Sequence, residues 1–173
     1  MLPENLKGYI REYPDFPKKG ILFRDVSPVL SEPQIFSELI KKMSAREIYK
    51  KSEAIVAIDS RGFIFGSSIA NFLNKPLVLA RKKNKLPGKL IEKDYGLEYG
   101  KDSLSMQLEA IQKFKSFVIV DDLIATGGTA KCVLDLLESI GKTIVGLHVV
   151  IELTSLEGKK ALECPVYSEI KFD

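Results

Sequence analysis

Four short apolar runs constrain this chain more than anything else in it: AIVAID at 54–59, PLVLAR at 76–81, SFVIVDD at 116–122 and TIVGLHVVI at 143–151. They are rich in β-branched residues and nearly continuous in apolar character, which is the pattern of strands buried on both faces. Helical periodicity fills the gaps between them. Ala130, Val133, Leu134, Leu137 and Ile140 share one face, Lys131, Asp135 and Glu138 share another, and Gly141 stops the segment. A second helix is predicted over 63–73, closing near Asn74. A third is predicted from Ser31, where Ser31-x-x-Gln34 has the form of a capping box, toward Met43. Strands separated by helices imply parallel pairing with right-handed crossovers. The predicted class is therefore α/β, a doubly wound, mainly parallel sheet flanked by helices, with its site where strands end and helices begin.

Two segments fall outside that rhythm. Over 1–30, Tyr13-Pro14, Phe16-Pro17 and Lys19-Gly20 punctuate one short apolar run, which reads as a small N-terminal hood on the main sheet. Over 82–95 the chain is polar and basic with Pro87-Gly88 inside, which reads as a mobile loop. The stretch through LEYG and SLSMQL alternates enough for a strand or hairpin. A length of 173 residues suits one domain spanning 1–173. The balance of 26 basic against 23 acidic residues is too even to suggest nucleic acid or a membrane surface as partner, yet it allows a small anionic substrate. No apolar run approaches the ~20 residues of a membrane span. The N-terminus MLPENLKGYI has no apolar signal-peptide core, and Cys132 and Cys164 are too few for a disulfide scaffold. A cytoplasmic protein is expected.

The densest chemical signal is VIVDDLIATGGTA at 118–130. A buried strand delivers Asp121 and Asp122, a turn of small residues follows, and a helix begins. Ala125, Thr126, Gly127, Gly128 and Thr129 carry so little side-chain bulk that their N–H groups can curl around a phosphate at the positive end of the helix. Two acids beside such a cradle need another partner, and ribose hydroxyls or Mg²⁺ both fit. The string is neither GxGxxG nor GxxxxGK[ST], which disfavours a dinucleotide or ATP. Ser60 and Arg61 end another strand, with Gly62 opening the next helix. Arg61 there is either a surface ion pair or a grip on an anion. Phe23 reads as core packing by spacing alone, and Glu98 as a solvent-facing strand residue. Arg81, Lys82 and Lys85 read as a solvated charge run. His148, inside an apolar strand, reads as a hydrogen-bonded structural residue.

The string VIVDDLIATGGTA resembles the phosphoribosyl-pyrophosphate (PRPP) signature of the type I phosphoribosyltransferases. GILFRDVSPVL at 20–30, AIDSRGFIFG at 57–66, ARKKNKLPG at 80–88, LEYG at 97–100 and IELTSLEG at 151–158 narrow the resemblance to the adenine phosphoribosyltransferase branch, in family order over nearly the full length. The resemblance implies purine salvage: adenine plus PRPP gives AMP and pyrophosphate, with Mg²⁺ held mainly through PRPP and water near Asp121 and Asp122. It implies that Asp121, Asp122 and the 125–129 turn bind PRPP and AMP. Ser60, Arg61, Arg81, Lys82 and Lys85 would meet pyrophosphate, with Arg81 reaching a neighbouring subunit of a homodimer. Phe23 and Leu153 would cover the two faces of adenine while the backbone near Arg24 reads its edge. Glu98 would act as acid/base, with Arg61 beside it in catalysis. Asn84 stands where the family usually has the glycine before the loop lysine. The rivals are a type I enzyme for another base and a PRPP-sensing regulator.

Overall fold

A computed structural model of the chain describes residues 6–97 and 100–173. In chain order the strands are β1 (Arg11–Pro14), β2 (Leu22–Asp25), β3 (Ala54–Ile58), β4 (Leu77–Lys82), β5 (Leu90–Leu97), β6 (Gly100–Gln107), β7 (Ser116–Ile124), β8 (Thr143–Leu153) and β9 (Val166–Phe172). The helices are α1 (Ser27–Ser31), α2 (Pro33–Ser44), α3 (Ile48–Lys51), α4 (Gly62–Leu73), α5 (Leu108–Gln112) and α6 (Gly128–Ser139). Among the described residues, seven strands form the main sheet in the order β5-β6-β4-β3-β7-β8-β9, and β1 and β2 form a separate antiparallel pair. Strands β4, β3, β7, β8 and β9 are parallel, while β6 and β5 add an antiparallel edge. No described helix is long and apolar enough to cross a membrane.

The continuous apolar runs are explained by two cores, one on each face. Ala54, Val56 and Ile58 of β3 and Phe117 and Ile119 of β7 point to the side covered by α6, whose Val133, Leu134 and Leu137 are fully buried. Ile55, Val118 and Val120 point to the other side, against Leu39 and Met43 of α2, Tyr49 of α3 and Phe65 and Ile69 of α4. Successive strand residues thus alternate between two apolar layers, and no position along the strand is free to be polar.

Several sequence expectations need correction at their boundaries. Ser31 caps nothing. It ends α1, its hydroxyl donating to the Ser27 carbonyl at 3.2 Å, and α2 starts at Pro33 after Glu32. Proline at the first helical position has the required φ and lacks an N–H that would go unpaired there. The segment read as a loop over 82–95 is irregular only over 83–89, because Lys82 still belongs to β4 and Leu90 already pairs with Gln107. Local polarity gave way to cross-strand pairing, an override that composition does not reveal. Asn74 closes α4 in the left-handed region at φ 52°, as expected. The hood is the β1–β2 pair, tied down by buried Leu6 and Ile10 in the second core, while Val26 and Val29 already belong to the main body.

Candidate active site

At the end of β7 the chain passes through Asp121 and Asp122 into the 125–127 turn and then α6. Gly127 lies at φ 84°, a region that favours glycine. A Cβ on Gly127 would also stand 2.3 Å from the Gly158 carbonyl oxygen, and one on Gly158 would stand 2.1 Å from that of Ala125. The 3₁₀ turn Gly158–Ala161 therefore presses directly on the back of the phosphate-loop candidate through two residues without side chains. On the front, the helix leaves first-turn N–H groups without intrahelical acceptors, aimed at the space an anion would take.

At the end of β3, Asp59, Ser60 and Arg61 lead into α4. Arg61 Nε lies 2.8 Å from Asp122 Oδ2, and its guanidinium lies 5.0 Å from the centroid of the Phe23 ring. A cavity of about 570 Å³ is lined by Asp59, Ser60, Arg61, Lys82, Asp121, Asp122 and the whole 123–130 segment. A second cleft of about 660 Å³, under the hood, is lined by Tyr13, Phe16, Phe23, Asp25, Ser27 and again Arg61. One guanidinium thus stands between an oxygen-rich phosphate cradle and an aromatic cleft. Burial, and then the neighbouring Asp122, holds the Asp121 carboxyl well above the usual carboxylate range. Asp121 Oδ1 accepts the Asp122 amide at 2.8 Å. Asp122 is buried, and its ion-pair partner there is Arg61.

Ser60, Arg61, Lys82, Asp121, Asp122, Ala125, Thr126, Gly127, Gly128 and Thr129 are therefore brought to one cavity, with Phe23 in the adjoining cleft. Other predicted residues stand outside these linings. Arg81 donates from Nε to Asp59 Oδ2 at 3.1 Å and from its terminal guanidinium to the Lys85 carbonyl at 3.3 Å, and Lys85 itself is exposed. The Arg24 side chain turns away from Phe23, to Glu12 and to the Phe172 ring. Leu153 ends β8 and packs against the second core. Glu98 and Tyr99 lie outside the described residues. Sequence reasoning passed over Gly158, Asp59 and Phe16, the last an edge-on neighbour of Phe23 at 5.1 Å. Only IELTSLEG, ending at Gly158, carried a hint of the first.

Residues 28–171 match the family model described as the phosphoribosyl transferase domain. An adenine phosphoribosyltransferase of Prochlorococcus marinus (strain MIT 9215) is 55% identical over 172 residues, covering 99% of this chain and all (100%) of that protein. The chain belongs to the adenine phosphoribosyltransferase family. Its fold is that of the family's solved members. The crystal structure of the Thermoanaerobacter pseudethanolicus adenine phosphoribosyltransferase is similar with a TM-score of 0.93 at 42% identity, over 98% of this chain and 99% of that one. The Saccharomyces cerevisiae adenine phosphoribosyltransferase, complexed with D-2,5-dideoxy-2,5-imino-altritol 1,6-bisphosphate and adenine, gives 0.87 at 35% identity, over 95% and 96%.

Proposed function

We propose that this phosphoribosyltransferase transfers the 5-phosphoribosyl group of PRPP to adenine, giving AMP and pyrophosphate in purine salvage. The observation that carries the reading is the sharing of Arg61 by the phosphate cradle and the Phe23 cleft. The 125–129 turn and the α6 N-terminus hold the 5-phosphate, and Asp121 and Asp122 face the ribose hydroxyls once PRPP draws Arg61 toward its pyrophosphate. Arg61, Lys82 and Lys85 then neutralise the leaving group, and Ser60 donates a hydrogen bond to it. The C1–O bond breaks with its electron pair going to pyrophosphate, the ribosyl centre becomes oxocarbenium-like, and adenine N9 attacks it. The imidazole-ring proton of adenine leaves from N7, and Glu98 takes a share of it. Glu98 lies outside the described residues; β5 and β6 pair from Leu90↔Gln107 to Leu97↔Gly100, and β6 pairs with β4 at Arg81 and Lys82.

Adenine stacks on Phe23 with Leu153 on its other face. Strand β2 is paired only with β1 among the described residues, so its second main-chain edge is open to the base. A carbonyl near Arg24 there accepts from the 6-amino group and repels the acceptor of hypoxanthine. Mg²⁺ comes with PRPP and water and offsets pyrophosphate charge. Asp121 and Asp122 are the nearest hard oxygen donors, and the described residues hold no cluster of three or more His, Cys, Asp or Glu able to cage a cation. Ile64 and Phe72 are exposed large apolar residues of α4, and we assign the outer surface of that helix to a second copy in a homodimer. The free cysteines Cys132 and Cys164 suit a reducing compartment, and we assign the enzyme to the cytoplasm.

The test is purified protein with PRPP, Mg²⁺ and, in turn, adenine, hypoxanthine, guanine, xanthine and orotate. AMP and pyrophosphate are expected with adenine. Turnover of another base at a comparable kcat/KM overturns the assignment.

A further inference from the structure

Phe172, the penultimate residue, lies at a junction that neither the phosphate cradle nor the hood explains. It ends β9, and the parallel register sets it opposite Leu153 at the end of β8. Its ring lies under two cations of the hood segment, with the Arg24 guanidinium 4.1 Å and the Lys7 ammonium 5.1 Å from the centroid. Arg24 is further paired with Glu12, its cross-strand neighbour in β1. The main chain of Phe172 is fastened as well. The Thr154 hydroxyl, one residue beyond Leu153, lies 3.1 Å from the Phe172 carbonyl and 2.6 Å from Asp173 Oδ1.

Neighbouring side chains in a strand point to opposite faces. Holding Arg24 on one face of β2 therefore sets where Phe23 stands on the other. Holding β9 against Thr154 sets where Leu153 stands. We infer that Phe172 is a positioning residue for base recognition: its ring, faced by Arg24 and Lys7, fixes the spacing between the Phe23 and Leu153 sides of the base cleft. This rests on the adenine reading above, which assigns those two side chains to the faces of the base. A ring of fixed quadrupole beneath two cations holds a strand more rigidly than an aliphatic contact of similar size. The slot between Phe23 and Leu153 admits a flat ring only if its width is kept, and loosening it should weaken binding of the base without touching the 125–129 turn.

Steady-state kinetics of the full-length enzyme with both substrates varied separate the possibilities. Phe172→Leu keeps apolar bulk but removes the quadrupole, and should raise KM for adenine about tenfold, equivalent to ~1.4 kcal/mol. KM for PRPP and kcat should stay within about twofold, a change too small to count in free energy. Phe172→Tyr should restore the wild-type KM. A melting temperature for each variant shows that the fold is intact. The inference is overturned if Phe172→Leu leaves KM for adenine unchanged, if it raises both KM values together, or if Phe172→Tyr is no better than Phe172→Leu. A wild-type enzyme inactive with adenine but active with another base overturns the adenine reading and this inference with it. An active wild type with an indifferent Phe172→Leu variant overturns the inference alone.

Discussion

Arg61 shows how a single side chain changes meaning between sequence and structure. By spacing it is either an ion pair or an anion grip; the fold shows the ion pair, and it sets both partners, Arg61 and Asp122, in the lining of one cavity. Under the proposed function, that pairing orients the guanidinium for a pyrophosphate that competes with Asp122 for it. Glu98 has no such geometry to lean on, and its role is the cleanest to test. Glu98→Gln keeps the shape and one acceptor oxygen but loses basicity, so the interaction that grows in the transition state is lost. We expect kcat to fall by about 10²–10⁴-fold with KM for PRPP nearly unchanged, read from steady-state kinetics with a pH profile. A fall of less than about threefold would make Glu98 a bystander, since general acid–base assistance is worth far more.

At the scale of elements, two contacts support the site from behind. The Gly158–Ala161 turn is set against the phosphate loop at distances that leave no room for a methyl group. Gly158→Ala must push Ala125 forward or the turn back, an overpacking that costs about 1–3 kcal/mol. The expected result is a rise of about tenfold or more in KM for PRPP with an unchanged circular dichroism spectrum. An unchanged KM would show that the turn, not the loop, gives way. Farther from the site, α3, β8 and β9 meet at a fully buried chain of polar groups. Tyr49 donates to His148 Nδ1 at 2.9 Å, and His148 Nε2 donates to Glu169 Oε1 at 3.0 Å, an arrangement that suits neutral His148. Lys42 and Arg46 reach Glu169 at 2.7 and 3.2 Å.

Burial pulls His148 below its usual 6.5 against the opposing pull of Glu169. Burial alone would raise Glu169, but hydrogen bonds from His148 and Lys42 outweigh it and bring the carboxyl from 4.5 to about 2. Both groups bind more protons unfolded than folded, so both contribute stability that is complete above their ordinary values and is lost as pH falls. His148 contributes its loss first, below 6.5, and Glu169 follows between 4.5 and about 2. In thermal melts, Glu169→Gln should be less stable at neutral pH by about 1–3 kcal/mol and should show a shallower loss across the lower window. A variant that loses stability with acid in parallel with the wild type removes Glu169 from the account.

At the scale of the molecule, Arg81 carries a prediction that a single chain cannot satisfy. It bonds Asp59 and the Lys85 carbonyl of its own chain, whereas the family resemblance sends it to a neighbouring site. A mixed dimer of Arg81→Ala and Arg61→Ala subunits distinguishes the two. If Arg81 works across the interface, both lesions fall on one site and roughly half the wild-type activity survives. If it works within its own chain, the mixed dimer is no better than the two parent variants. The same scale separates what could be read early from what could not. The four buried strands, the helix after the small-residue turn at 125–127 and the closing Asn74 were all legible, because each is written in contiguous residues whose periodicity or bulk has one physical use. The start of α2, the extent of β5, the Arg61–Asp122 pair, the Gly127–Gly158 contact and the Phe172 junction were not. Each depends on residues distant in sequence being brought within a few ångströms, and local pattern carries no information about which distant partner arrives. The chain by itself determined a mainly parallel α/β sheet with a turn of small residues at one strand end. Only the tertiary packing decided that the cavity at the end of β7 and the cleft under the hood would share one arginine, Arg61, because their linings come from residues far apart in sequence.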